Sequence, residues 1–194
     1  MDVSRIFAIV DSHDKDDNAN YLVNRILDGA MNLSTNIISL HYVQKMHLVL
    51  NCVGTHACHS GARCPLEDEF SDWRDEIRES DVFVIGTTFE NGTISTKFEN
   101  IITRFLNQAI DLKLHDKKVV IVIASRMSGD KVMDEILSVR DRFVNAGMIY
   151  LDELVYIDEA GSFRAKENPA IENKALLIGS GLRTNWRPYS TKSA

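Results

Sequence analysis

Three cysteines fall within thirteen residues, Cys52 to Cys64, with His56 and His59 between them. Thiolates and imidazoles suit borderline metals, so Cys52, Cys58, Cys64 and one histidine would satisfy a tetrahedral zinc. Three cysteines with a non-cysteine fourth ligand also suffice for a four-iron, four-sulfur cluster. A set of free thiols in a loop is the plain alternative. A second constellation is acidic: Asp11, Asp14, Asp16 and Asp17 surround a single lysine, Lys15. Hard cations choose carboxylates, so a magnesium-type site and a solvated acidic turn both stay open. Phosphotransfer is disfavoured. One such pocket needs Asp-x-Asp after the first strand, where Asp11-Ser12-His13 breaks it; another needs an aspartate ending the third, where Gly86-Thr87 stands. A third group runs from Gly86 to Ser95. In it Glu90 reads as an acid, a base or a solvated loop carboxylate, and Asn91-Gly92-Thr93 is a glycosylation sequon with no meaning in a cytoplasmic protein.

These groups need a scaffold, and composition narrows it. The 194 residues are 44% hydrophobic and 26% charged, with a net charge of −6 and three prolines. That is enough apolar material for one domain with a substantial core, and it excludes disorder and collagen-like repeats. No apolar run approaches the ~18 residues a membrane span needs. An acidic balance without a basic run argues against a nucleic-acid partner. A disulfide framework would spread an even number of cysteines along the chain, which these do not. Met1 to Arg5 leads directly into apolar residues without the pattern of a signal peptide, so a cytoplasmic location is expected.

Strand and helix signals alternate. Ile6–Val10, Ile37–Val43, Asp81–Gly86, Val119–Ala124 and Tyr150–Ile157 read as strands, and Ile6–Val10, Asp81–Gly86 and Val119–Ala124 are continuous enough to be buried on both faces. Between them, Leu22 to Met31 follows the cap region Asp17-Asn18 at helical spacing. Phe70, Trp73 and Ile77 mark one face of a short helix. Phe98 to Ala109, Val132 to Val144 and Ile171 to Leu182 mark three longer ones. The pattern predicts a parallel sheet covered on both faces by helices, with ligands received beyond the carboxyl ends of the strands. Loops 11–19, 87–95 and 125–130 therefore matter most, and the cysteine segment is expected to border the same rim. Residues 1–184 read as one domain, and 185–194 as a loose tail.

The motifs now in place resemble the NADPH-dependent FMN reductase family, and within it the iron–sulfur flavoproteins. The stretch Gly86-Thr87-Thr88-Phe89-Glu90-Asn91-Gly92-Thr93-Ile94-Ser95, continuing to Arg104, aligns without a gap to the family's Gly-Thr-Pro-x-Tyr-x-Gly-x-x-Ser loop and its following helix. Asp11 to Ala19 occupies the position of its Gly-Ser-Pro-Arg…Gly-Asn-Thr phosphate loop. Cys52, Cys58 and Cys64 match three of the four cysteines of the subgroup, with Thr55 in place of the other. The resemblance implies a flavodoxin-like three-layer α/β/α fold with strand order 2-1-3-4-5. It implies an FMN-dependent oxidoreductase or electron-transfer protein, drawing on NAD(P)H or ferredoxin and reducing flavin, a quinone or another small acceptor, as a homodimer or homotetramer. Ser12, Asn18, Thr87, Thr88, Phe89, Glu90, Asn91, Gly92, Ser125 and Gly129 would hold the cofactor, and Cys52, Cys58 and Cys64 an iron–sulfur cluster. No side chain is expected to act as a catalyst, since flavin carries the chemistry.

Departures from the family pattern concentrate in the phosphate loop. The family's glycine is Asp11, its proline His13, its arginine Asp14, and its terminal hydroxyl is lost to Ala19. Two unit charges about 5 Å apart repel by roughly 3 kcal/mol at an effective dielectric near 20, so this loop is a poor anion site. A fold relative that has lost FMN and binds a metal or a partner is the competing expectation.

Overall fold

The computed structural model describes residues 3–12, 17–33, 35–47, 51–89, 93–127, 130–158 and 164–182. Five strands, β1 (Arg5–Asp11), β2 (Ile37–Tyr42), β3 (Val82–Phe89), β4 (Lys118–Ser125) and β5 (Ile149–Ile157), form one sheet in the order β2-β1-β3-β4-β5. Every pairing is parallel. The order and direction agree with the sequence reading. β4 is buried at every position and β3 at all but one, whereas the edge strands β2 and β5 are partly exposed. This is why the inner strands read as continuous apolar runs.

Alternation along the strands builds two cores. Phe7, Ile9, Phe83, Ile85, Ile121 and Ile123 face α4 (Thr96–Asn107) and α5 (Asp130–Asn145). Ile6, Ala8, Val10, Val84 and Val122 face α1 (Asn18–Leu33) and α6 (Pro169–Gly181). The two helices of the second layer cross so closely that a methyl group at Gly179 would overlap the carbonyl oxygen of Ile26. α6 is capped at its start: the Asn168 side chain accepts from the N–H groups of Ala170 and Ile171, with Pro169 in the first turn. The Ser95 side chain caps α4 in the same way through Phe98 N–H. Among the described residues, no helix is long and apolar enough to cross a membrane.

The structure departs from the sequence reading in three places. The single short helix expected around Trp73 is two, α2 (Glu69–Asp72) and α3 (Arg74–Glu79), meeting at Trp73. β3 continues past Gly86, because Thr87, Thr88 and Phe89 pair with Ile123, Ala124 and Ser125 of β4. Thr87, Thr88 and Phe89 are thus strand residues and not loop. Finally, the register of β4 on β5 shifts between Val119 and Val120, whose partners are Tyr150 and Asp152, so Leu151 is the additional residue. The tail 185–194 lies outside the described residues.

Candidate functional site

The carboxyl ends of β1, β3 and β4 lie side by side, with Asp11 paired to Thr87 and Phe89 paired to Ser125. The side chains here are almost wholly enclosed. Asp11 is 4% exposed and its carboxylate accepts from Gln44 Nε2 at 2.7 Å. Ser12 is buried beside it. Ser125 closes the first turn after β4, its Oγ accepting from Met127 N–H and donating to Met127 O, both at 2.9 Å. Phe89 belongs to the α4-side core, so its ring packs the interior. Thr87 is the exception. It is 2% exposed, and its Oγ1 is buried without a hydrogen-bond partner among the described residues. Alternation along β3 turns Thr87 to the α4/α5 side, between Ile85 and Phe89.

α1 begins at this rim, and Gly86 lets it approach. A Cβ on Gly86 would stand 2.5 Å from Val23 Cγ2 and 3.8 Å from Ala19 O. The Asp17 carbonyl accepts the first helical bond, from Tyr21 N–H at 2.9 Å, and its carboxylate accepts from Ala19 N–H at 2.9 Å. Across the gap to β3, the Thr88 hydroxyl donates to the same carboxylate, 2.8 and 2.9 Å from its two oxygens. The cap expected at Asp17-Asn18 is therefore Asp17, latched to β3. Asn18 turns elsewhere: its side-chain oxygen accepts from Ala165 N–H at 2.8 Å, tying α1 to the 3-10 turn Ala165–Glu167. The link between Asp17 and Thr88 was missed in the sequence, because nothing local announces a contact between residues 71 positions apart. Of the other expected site residues, Glu90, Asn91, Gly92 and Gly129 lie outside the described residues, as do His13, Asp14, Lys15 and Asp16.

The cysteine segment does not border the rim as expected. It runs along α4: Asn100 Nδ2 donates to Asn51 Oδ1, Asn107 Nδ2 lies 4.0 Å from Cys52 Sγ, and a Cβ on Gly61 would meet Ile110 at 3.1 Å. α4 starts at the rim and runs antiparallel to the strands. Asn107 is thus about 18 Å down the helix from Ser95 at 1.5 Å per residue. Cys52 is exposed, Cys58 buried and Cys64 half-buried, and burial pushes the Cys58 thiol above its ordinary pKa. The rings of His56 and His59 are 4.9 Å apart; His56, in a left-handed conformation, enters the 3-10 turn Ala57–Ser60 that carries His59. Among the described residues, no three His, Cys, Asp or Glu side chains come together in a group able to hold a metal. Cys52, Cys58 and Cys64 therefore do not fit an iron–sulfur cluster or zinc in this arrangement.

What anchors the segment at its far end is an ion pair. Arg104, 1% exposed, lies 4.7 Å over the Phe70 ring. Its Nη1 and Nη2 donate to the two oxygens of Asp68, the second at 3.0 Å. Asp68 also caps α2 through Ser71 N–H. Beyond it, a cleft of about 400 Å³ opens at the end of β2, lined by His41, Tyr42, Lys45, Glu69, Asp72 and Trp73 among others. Trp73 packs on Phe7, Phe70 and His41, and His41 Nε2 lies 2.9 Å from Glu76.

Comparison with known proteins places this geometry. The family model for NADPH-dependent FMN reductase matches residues 4–162. No curated protein sequence matches the chain. Among solved structures, the chain is similar to the NAD(P)H:quinone oxidoreductase from Methanothermobacter marburgensis, with TM-score 0.74 and 11% identity over 93% of this chain and 97% of that one. It is also similar to an azoreductase from Bacillus anthracis str. Sterne, with TM-score 0.69 and 14% identity over 92% and 99%. An FMN-dependent NADH-azoreductase from Bacillus anthracis str. Ames Ancestor, solved in complex with FMN, gives 0.66 and 12% over 91% and 97%. At these identities the likeness is one of fold.

Proposed function

The chain belongs to the NADPH-dependent FMN reductase family, and from that premise we propose that it is a flavin-dependent oxidoreductase. It takes electrons from NAD(P)H or ferredoxin and delivers them to flavin, a quinone or another small acceptor. The observation that carries this reading is the family match itself, which spans all five strands and the connections that follow β1 to β4. The solved structures of the same fold include a quinone oxidoreductase and azoreductases, which supports the reaction class.

A bound flavin supplies the electron chemistry; the chain supplies position and surroundings. Gly86 admits the start of α1 to the rim, and the bond from Thr88 to Asp17 fixes that start against β3. Ser12 and Thr87 are buried hydroxyl residues at the carboxyl ends of β1 and β3. In this reading Asn91, Gly92, Ser125 and Gly129 are further contacts of the cofactor. Assembly as a homodimer or homotetramer belongs to the same proposal.

A second reading, a flavin-free relative that acts through interactions, is favoured by one observation: a carboxylate already sits at the start of α1. The test separates the two. Under anaerobic conditions the protein, mixed with riboflavin or FMN and then NADPH, is followed by visible absorbance. Tight flavin uptake and bleaching support the oxidoreductase; failure to take up any flavin sinks it.

A further inference from the structure

The start of α1 is where this fold offers an anion its backbone N–H groups at the carboxyl rim. A terminal phosphate on a flavin would need those N–H groups and nearby hydroxyls as donors. In this chain Asp17 holds one of each. Its carboxylate accepts from Ala19 N–H at 2.9 Å and from the Thr88 hydroxyl at 2.8 and 2.9 Å. The residues at the phosphate end thus do not fit FMN as they stand. A phosphate has to displace Asp17 from both donors, or bind beside a fixed negative charge in a chain whose residues 11–19 hold four aspartates and one lysine.

The same arrangement suits a different ligand end. A carboxylate accepts hydrogen bonds and gives none, so its natural partner is a donor. A flavin whose side chain ends in a hydroxyl presents such a donor; one ending in phosphate at neutral pH presents further negative charge. On the other face of β3, between Ile85 and Phe89, the buried Thr87 Oγ1 has no partner among the described residues. We propose that Asp17, held by Ala19 and Thr88, is a resident anion that makes this chain select a flavin with a free terminal hydroxyl, riboflavin, over one with a terminal phosphate, FMN. The inference rests on the reading of this rim as a flavin site. Asp17 is here a specificity determinant, and it takes no part in the electron chemistry.

The test is equilibrium binding of riboflavin and of FMN to the full chain, read by quenching of flavin fluorescence, for the unaltered protein and for Asp17→Asn and Asp17→Gly. Asparagine caps a helix as well as aspartate does, so Asp17→Asn removes the charge and keeps the start of α1 folded. The unaltered protein is expected to bind riboflavin about tenfold or more tightly than FMN, the size of a close like-charge contact at a partly solvated site. Asp17→Asn is expected to bring FMN level with riboflavin, and Asp17→Gly to reverse the preference. If the unaltered protein binds FMN as tightly as riboflavin, or if Asp17→Asn leaves the ratio unchanged, the inference is wrong while the flavin reading stands. If neither flavin binds the protein or its variants, the flavin reading itself falls and the inference with it.

Discussion

Asp68→Asn should destabilise the protein by about 3–5 kcal/mol, the usual cost of breaking a buried ion pair and stranding its partner. The pair qualifies as buried on both sides, since the Arg104 and Asp68 side chains are 1% and 0% exposed. The guanidinium donates through two nitrogens to that carboxylate and rests on the Phe70 ring at 4.7 Å, so no solvent can take over the lost charge. Asparagine keeps an acceptor for Ser71 N–H and thus the cap of α2; Asp68→Ala removes both and should cost about 1 kcal/mol more. In a domain of this size, a loss of 3–5 kcal/mol lowers Tm by roughly 6–20 °C. The double variant Arg104→Met with Asp68→Asn removes the stranded charge and should recover a large part of the loss. Urea unfolding, with the slope checked for constancy, measures all three. The reasoning is refuted if Asp68→Asn costs less than about 1 kcal/mol or if the double variant is no better than the single one.

Other expectations follow from packing and burial. Gly179→Ala places a methyl against the carbonyl of Ile26, which α6 can escape only by moving off α1, and should cost about 1–3 kcal/mol; an unchanged urea midpoint would contradict the close crossing. Timed alkylation read by mass spectrometry should modify exposed Cys52 first and buried Cys58 last. Because burial raises the Cys58 pKa, its reactive thiolate forms only at higher pH, so its labelling should lag the others as pH rises through the ordinary thiol range. Labelling of Cys58 at the rate of Cys52 would show that the segment is not packed as described.

Much of the scaffold was legible in the residues because parallel inner strands are buried on both faces and leave unbroken apolar runs such as Val119 to Ala124. The helices were legible for the complementary reason, a single apolar stripe, and the cap at Asp17-Asn18 was placed to within one residue. The strand order came from the resemblance and not from the runs themselves. What local pattern could not show is long-range pairing. Thr87-Thr88-Phe89 looks like a loop, yet pairing with Ile123, Ala124 and Ser125 keeps it in the sheet. The cysteine segment looked like a ligand set because three thiols recur at family spacing. Its path is set instead by contacts with Asn100, Asn107 and Ile110, which carry it down α4 and away from the rim. Arg104 fell inside an apolar stripe and revealed its role only once Asp68 lay opposite it.

The central claim is that this rim holds a flavin and passes electrons through it. Anaerobic titration of the flavin-loaded protein with NADPH, followed by addition of a quinone, tests it most directly. The account predicts loss of the flavin's visible absorbance as reductant is added and its return when the quinone is supplied. A protein that binds flavin but leaves it oxidised in the presence of both NADPH and reduced ferredoxin, or that binds no flavin, would contradict it.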